Sequence, residues 1–134
     1  MVVVGIDFSP GSARALETAR SLATTVGSDI YTIHVVAPSE SEWRTREGTD
    51  RWLEDRGLSA SDVHQRWGEP WLELLKAAEE MDATLIVAGC HGRSGFQPLR
   101  LGSTASHMAL RSRTPVVLVP ERAPFTSTTQ KEKP

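Results

Sequence analysis

One feature constrains the fold more than any other: short apolar runs alternate with stretches of helical periodicity. The runs are VVVGID (2–7), IYTIHVV (30–36), TLIVAG (84–89) and PVVLVP (115–120). Runs of this length and continuity fit strands buried on both faces of a parallel sheet. Between the first two, Ala15, Leu16, Ala19, Leu22, Ala23 and Val26 recur at i, i+3, i+4 spacing and predict one apolar helical face. Ser9 suits the N-cap of that helix, Pro10 its first position and Gly27 its C-terminal cap. A second stripe, Trp71, Leu74, Leu75, Ala78 and Met81, starts at Glu69-Pro70, and residues 102 to about 111 read as a further helix. The mostly polar DVHQRW (62–67) predicts an edge strand. From Pro38 to Gly57 the pattern is weakest, with Trp43, Trp52 and Leu53 pointing to a short amphipathic helix. The order is β-α-β-α-β-α-β-α-β. It predicts a doubly wound, Rossmann-like α/β fold with five parallel strands, helices on both faces and right-handed crossovers.

Composition narrows the function classes. A chain of 134 residues, 39% hydrophobic and 24% charged, is a single globular domain with room for one substantial core. The net charge of −2 and the scatter of the arginines provide no concentrated basic face, so no nucleic-acid partner is expected. No apolar run approaches the roughly 20 residues of a membrane span, so no membrane partner is expected either. MVVVGIDFS has neither a basic leader nor a long apolar stretch and is not expected to be a secretory signal. The single cysteine, Cys90, excludes an internal disulfide and fits a reducing cytoplasm. The domain is expected over 1–121. Residues 122–134 show no periodicity and are expected to be a disordered tail.

In open parallel sheets ligands bind beyond the carboxyl ends of the strands, where the strand order reverses. Two such ends carry polar residues: Asp7 after the first strand, and GCHGRSGFQPLRLGST (89–104) after the fourth. They face one crevice only if strands one and four are neighbours. Gly89 and Gly92 would let a phosphate chain approach the backbone N–H groups, and Gly102 would turn the chain into the last helix. Ser103 and Thr104 then occupy its first turn, where free N–H groups and the helix dipole favour an anion. The competing reading is a plain strand-to-helix connection, which composition alone favours. The segment lacks both the Gly-Lys-Ser/Thr of a P-loop and a G-x-G-x-x-G. Cys90 and His91 are adjacent in sequence and do not make a nucleophile–base pair, because neighbouring side chains point in different directions. His34, His64 and His107 are too dispersed for a metal cluster.

The spacing Gly89-x2-Gly92-x9-Gly102-Ser103 is similar to the glycine signature of ATP-binding members of the universal stress protein family. VVVGIDFSPGSARAL, IHVV, GEP (68–70), ATLIVAGCHGRSG and TPVVLVP also resemble family segments, so the resemblance covers roughly residues 1–120. It implies the strand order 3-2-1-4-5 and a site for ATP with Mg2+, AMP or ADP being possible in its place. Asp7 would lie near the ribose or a bound divalent metal, although it also suits a cap for the turn into the first helix. Val35 would offer backbone groups to adenine, or be a plain buried strand residue. Gly89, Gly92, Gly102, Ser103 and Thr104 would meet ribose and phosphates. Arg93 and Arg100 would add charge-assisted contacts, unless they are solvated loop arginines.

Two residues depart from common family forms. Phe8 replaces a small residue and is expected to narrow the mouth or pack beneath the loop. Cys90 stands where serine is frequent. The implied function is that of a nucleotide-dependent stress regulator with at most weak ATP hydrolysis. A homodimer through the last strand, and an unidentified regulatory protein partner, would accompany it. A slow ATPase or adenylyl-handling enzyme is one alternative, and a nucleotide-free dimeric interaction module the other.

Overall fold

The computed structural model describes residues 1–37, 46–91 and 101–121; Trp43, Gly92, Arg93, Arg100 and the segment 122–134 lie outside the described residues. The elements are β1 (Val2–Gly5), α1 (Pro10–Val26), β2 (Ile30–Val36), α2 (Arg46–Glu54), a 3-10 turn (Ala60–Asp62), β3 (Val63–Trp67), α3 (Pro70–Glu80), β4 (Leu85–Gly89), α4 (Ser103–Arg111) and β5 (Val116–Val119). The strands form one sheet in the order β3-β2-β1-β4-β5. All four pairings are parallel, and Val2 of β1 sits opposite Ile30 on one side and Leu85 on the other.

Alternation along the strands builds two cores. Val2, Val4 and Ile6 face α1 and join Leu16, Ala19 and Val87. Val3, Ile33, Val35, Ile86 and Ala88 face the other way, onto Leu74 and Ala78 of α3 and Met108 of α4. Each fully buried Val or Leu contributes about 1.5–3 kcal/mol, so the two layers hold the sheet from both sides. β1 and β4 are adjacent at the centre, the condition for Asp7 and the 89–104 segment to share a crevice.

The ends of α1 follow the sequence signals. Ser12 N–H donates to Ser9 Oγ at 3.2 Å, and Ser9 N–H donates to Ser12 Oγ at 3.1 Å, a reciprocal cap. Gly27 adopts φ 67°, ψ 37° and donates its N–H to the Ala23 and Thr24 carbonyls.

The weakly patterned stretch after Ala37 does contain a helix, α2, held by tertiary contacts. Leu53 is 3% exposed in the α1-side core. The Arg56 guanidinium lies 4.1 Å from the Trp52 ring centroid, and its Nη1 donates to the Trp52 carbonyl at 2.7 Å. Arg20 of α1 in turn donates to the Arg56 carbonyl at 2.8 Å. β3 is an edge strand, as its polarity predicts. Its Arg66 pairs with Glu80 and lies 3.5 Å from Glu73. Among the described residues no helix is long and apolar enough to cross a membrane.

Candidate functional site

A cavity of about 400 Å³ opens beyond the carboxyl ends of β1, β2 and β4, on the α3/α4 side of the sheet. Its walls include Asp7 after β1, Ile33, Val35 and Ala37 of and after β2, Glu69 and Leu74 at α3, and Gly89 of β4 with the following Cys90 and His91. Gly102, Ser103 and Thr104 at the start of α4 complete them. The volume lies within the range of small-molecule sites.

Asp7 is placed by the turn that leaves β1. Ile6 N–H still donates to the Ile33 carbonyl at 2.9 Å, after which the chain swings out of the sheet. Asp7 Oδ1 accepts the Ser9 N–H at 3.0 Å, and the Asp7 N–H donates to Ser12 Oγ at 3.2 Å. The carboxylate therefore caps the turn into α1 and also lines the cavity. Phe8, between these residues, has φ 64°, unusual for a residue with a side chain. Its ring does not line the cavity or narrow its mouth. It packs edge-on to His34 at 4.7 Å and to Trp52 at 5.4 Å, in the α1/α2 layer.

The loop after β4 is tied at its base. Cys90 N–H donates to the Val119 carbonyl at 2.9 Å, and Gly102 N–H donates to the Cys90 carbonyl at 2.7 Å. The chain thus leaves the sheet and returns to one point, where Gly102 is the N-cap of α4. A glycine N-cap has no side chain to accept the first-turn N–H groups, which leaves those donors for a ligand. The loop base fits tightly against α1: a Cβ on Gly11 would stand 3.1 Å from the His91 carbonyl oxygen, and one on Gly89 3.4 Å from the Gly11 carbonyl carbon.

Of the residues expected at the site, Asp7, Val35, Gly89, Gly102, Ser103 and Thr104 line this one cavity. Gly92 and Arg93 lie outside the described residues. Val35, 7% exposed, belongs to an apolar strip with Ile33 and Ala37 that suits a flat ring. Sequence reasoning missed Gly11 and Glu69. The signal for Gly11 was a glycine in a first helical turn, where it weakens the helix; for Glu69 it was an acidic residue just before the proline that opens α3.

Other polar candidates resolve into structural roles. His34 is 3% exposed, with Nδ1 2.9 Å from the Ile6 carbonyl oxygen. His64 stacks on Tyr31 and His107 on Trp71. Burial pushes the Cys90 thiol pKa up, the opposite of what a thiolate nucleophile needs.

No group of three or more His, Cys, Asp or Glu able to hold a metal occurs among the described residues. For Mg2+ the fit would be one of shared coordination: Asp7 would provide a carboxylate, and phosphate oxygens and water would have to provide the rest. The described walls carry two acidic side chains, Asp7 and Glu69, and no lysine or arginine. An anion here would meet backbone N–H groups, hydroxyls and a helix start.

Comparison with known proteins agrees with this geometry. The model of the universal stress protein family matches residues 1–120. The chain is 35% identical to a universal stress protein of Mycolicibacterium smegmatis over 136 aligned residues, covering 90% of this chain and 46% of that one. It thus spans about half the length of that relative. A solved universal stress protein in complex with cAMP is similar at 28% identity and TM-score 0.59, over 88% of this chain and 94% of that one. A solved Pseudomonas aeruginosa universal stress protein shares the fold at TM-score 0.71 and 19% identity, over 89% of this chain and 46% of that one. With a match from end to end of the sheet, and the same strand order that the motif implies, the chain belongs to the universal stress protein family.

Proposed function

We propose that the chain binds one adenine nucleotide in this cavity and acts as a nucleotide-dependent regulator of the stress response rather than as an enzyme. The observation that carries this is the meeting of Asp7 with Gly102, Ser103 and Thr104 across one cavity at the reversal of strand order. In this reading the Ile33–Val35–Ala37 strip takes the base, and Asp7 takes ribose hydroxyls or a phosphate-bound Mg2+. The start of α4 takes phosphate oxygens, with Gly92 and Arg93 completing the cradle. ATP with Mg2+ is the proposed ligand, because the acidic described walls call for a cation to accompany a triphosphate. The same acidity supports a second reading, a less charged ligand such as AMP or cAMP. A neighbour in complex with cAMP points the same way.

Catalysis is not proposed. Asp7 Oδ1 is already an acceptor for Ser9 N–H, and in-line phosphoryl transfer needs a positioned base and charge compensation. The test is to denature the purified protein and identify released nucleotides by mass spectrometry. Titration with ATP plus MgCl2, AMP and cAMP follows, and then prolonged incubation to look for ADP. Tight ATP binding without ADP supports the proposal; no carried or titrated nucleotide overturns it. Tighter cAMP or AMP binding selects the second reading, and steady ADP production makes the protein an enzyme.

We further propose a cytoplasmic homodimer that pairs through β5, whose outer edge has no strand beside it among the described residues. The Pro115 and Val119 carbonyls bond to β4, so the alternate groups at Val116 and Leu118 point to that open edge. Leu118→Pro removes an outward N–H and is expected to shift a dimer to monomer in sedimentation velocity. A wild-type protein that sediments as a monomer excludes the pairing.

A further inference from the structure

We propose that Phe8 is a positioning residue: its ring, clamped by His34 and by Trp52 of α2, holds the left-handed turn that presents Asp7 to the cavity. The inference rests on the reading that Asp7 meets the nucleotide, and it adds a coupling between that site and α2.

The turn is built of three successive residues with different tasks. Asp7 faces the cavity and accepts the Ser9 N–H, while Ser9 begins α1. Phe8, between them, carries φ 64°, which a Cβ disfavours and a glycine does not. A non-glycine residue persists in that region only when its surroundings over-determine it. Here the surroundings include two rings in edge contact, His34 at 4.7 Å with an interplanar angle of 60° and Trp52 at 5.4 Å with one of 85°. His34 is fixed within the sheet by its 2.9 Å contact with the Ile6 carbonyl. Trp52 belongs to a separate helix, and the Arg56 guanidinium lies 4.1 Å from its ring centroid.

Part of the clamp is therefore on an element outside the sheet, held to it by Leu53 and Trp52. Moving α2 away removes the Trp52 contact from the Phe8 ring, which lets the turn relax toward negative φ and draws the Asp7 carboxylate from its place in the cavity wall. By linkage, a ligand that engages Asp7 holds α2 down, and a partner that lifts α2 lowers ligand affinity by the same factor.

The experiment compares Phe8→Ala, Phe8→Gly, Trp52→Ala and Trp52→Phe, with folding checked by circular dichroism and ATP plus MgCl2 titrated calorimetrically. Phe8→Ala and Trp52→Ala are expected to weaken binding about tenfold or more. Phe8→Gly, which loses the same ring but accepts positive φ freely, is expected to stay within about threefold of wild type, as is Trp52→Phe. Equal affinities for the alanine and glycine variants overturn the proposal, since simple loss of packing would treat them alike. Hydrogen exchange at the Ser9 amide, which donates to Asp7 Oδ1 and Ser12 Oγ across the turn, gives a readout independent of the ligand. It is expected to lose protection about tenfold in Phe8→Ala and Trp52→Ala but not in Phe8→Gly. A wild type that binds no nucleotide sinks the functional reading alone; unchanged Ser9 protection in all variants sinks this one.

Discussion

Ser9 takes part in two structures at once. Its hydroxyl accepts the Ser12 N–H to cap α1, and its own N–H goes to Asp7 Oδ1 and Ser12 Oγ. Ser9→Ala removes the cap acceptor but keeps the N–H, so it is expected to cost about 1 kcal/mol of stability while leaving Asp7 in place. Urea denaturation measures the first part, and retained hydrogen-exchange protection of the Ser9 amide the second. Cys90 supplies a pH-dependent test. Burial raises its folded pKa above the unfolded value, so its contribution is complete below about pH 8.5 and declines as pH rises further. Alkylation by iodoacetamide at pH 8 is expected to be several-fold slower than for a free thiol, and slower again with nucleotide in the cavity it lines. Rapid, ligand-insensitive alkylation contradicts both the burial and the placement.

At the scale of elements, the start of α4 shows a stability–function conflict that can be measured. Gly102 has φ −66° and ψ 165°, a backbone that any residue adopts, so its lack of a side chain is not demanded by conformation. It does leave the first-turn donors uncapped. Gly102→Asp is expected to stabilise the protein by a few tenths of a kcal/mol through a better N-cap. The same carboxylate would occupy those donors and repel phosphate, so nucleotide affinity should fall about tenfold or more. Parallel thermal-unfolding and titration measurements test the opposed signs; unchanged affinity would mean that the α4 terminus is not the anion seat. α2 shows a different relation between an element and its sequence. Its sequence pattern is faint because nine residues with few apolar positions form too short a helix to stand alone, and Leu53 and Trp52 hold it by packing on the α1-side core.

At the scale of the molecule, a ligand that binds only the folded state adds its binding free energy to stability. With ATP and Mg2+ at 100 times the dissociation constant, unfolding in urea is expected to require about 2.7 kcal/mol more. The Asp7→Asn variant is expected to lose most of that increment; an equal increment would remove Asp7 from the site. Much of this architecture was legible in the residue order. The apolar runs, the Ser9-Pro10 start and the Gly27 stop of α1, and the polarity of β3 are local signals, because strand burial and helix capping depend on near neighbours in the chain. The glycine spacing around residues 89–104 likewise carried the family resemblance. What local pattern does not contain is which distant residues become neighbours. That Phe8 packs against Trp52 rather than lining the cavity, that Gly11 lies close beneath the His91 carbonyl, and that Glu69 joins Asp7 on the wall are consequences of packing. Residue order alone was enough for the alternating elements and for the candidate glycine segment. Which residues meet around the cavity depended on the tertiary fold, because contacts between residues far apart in the chain form only when the sheet brings their elements together.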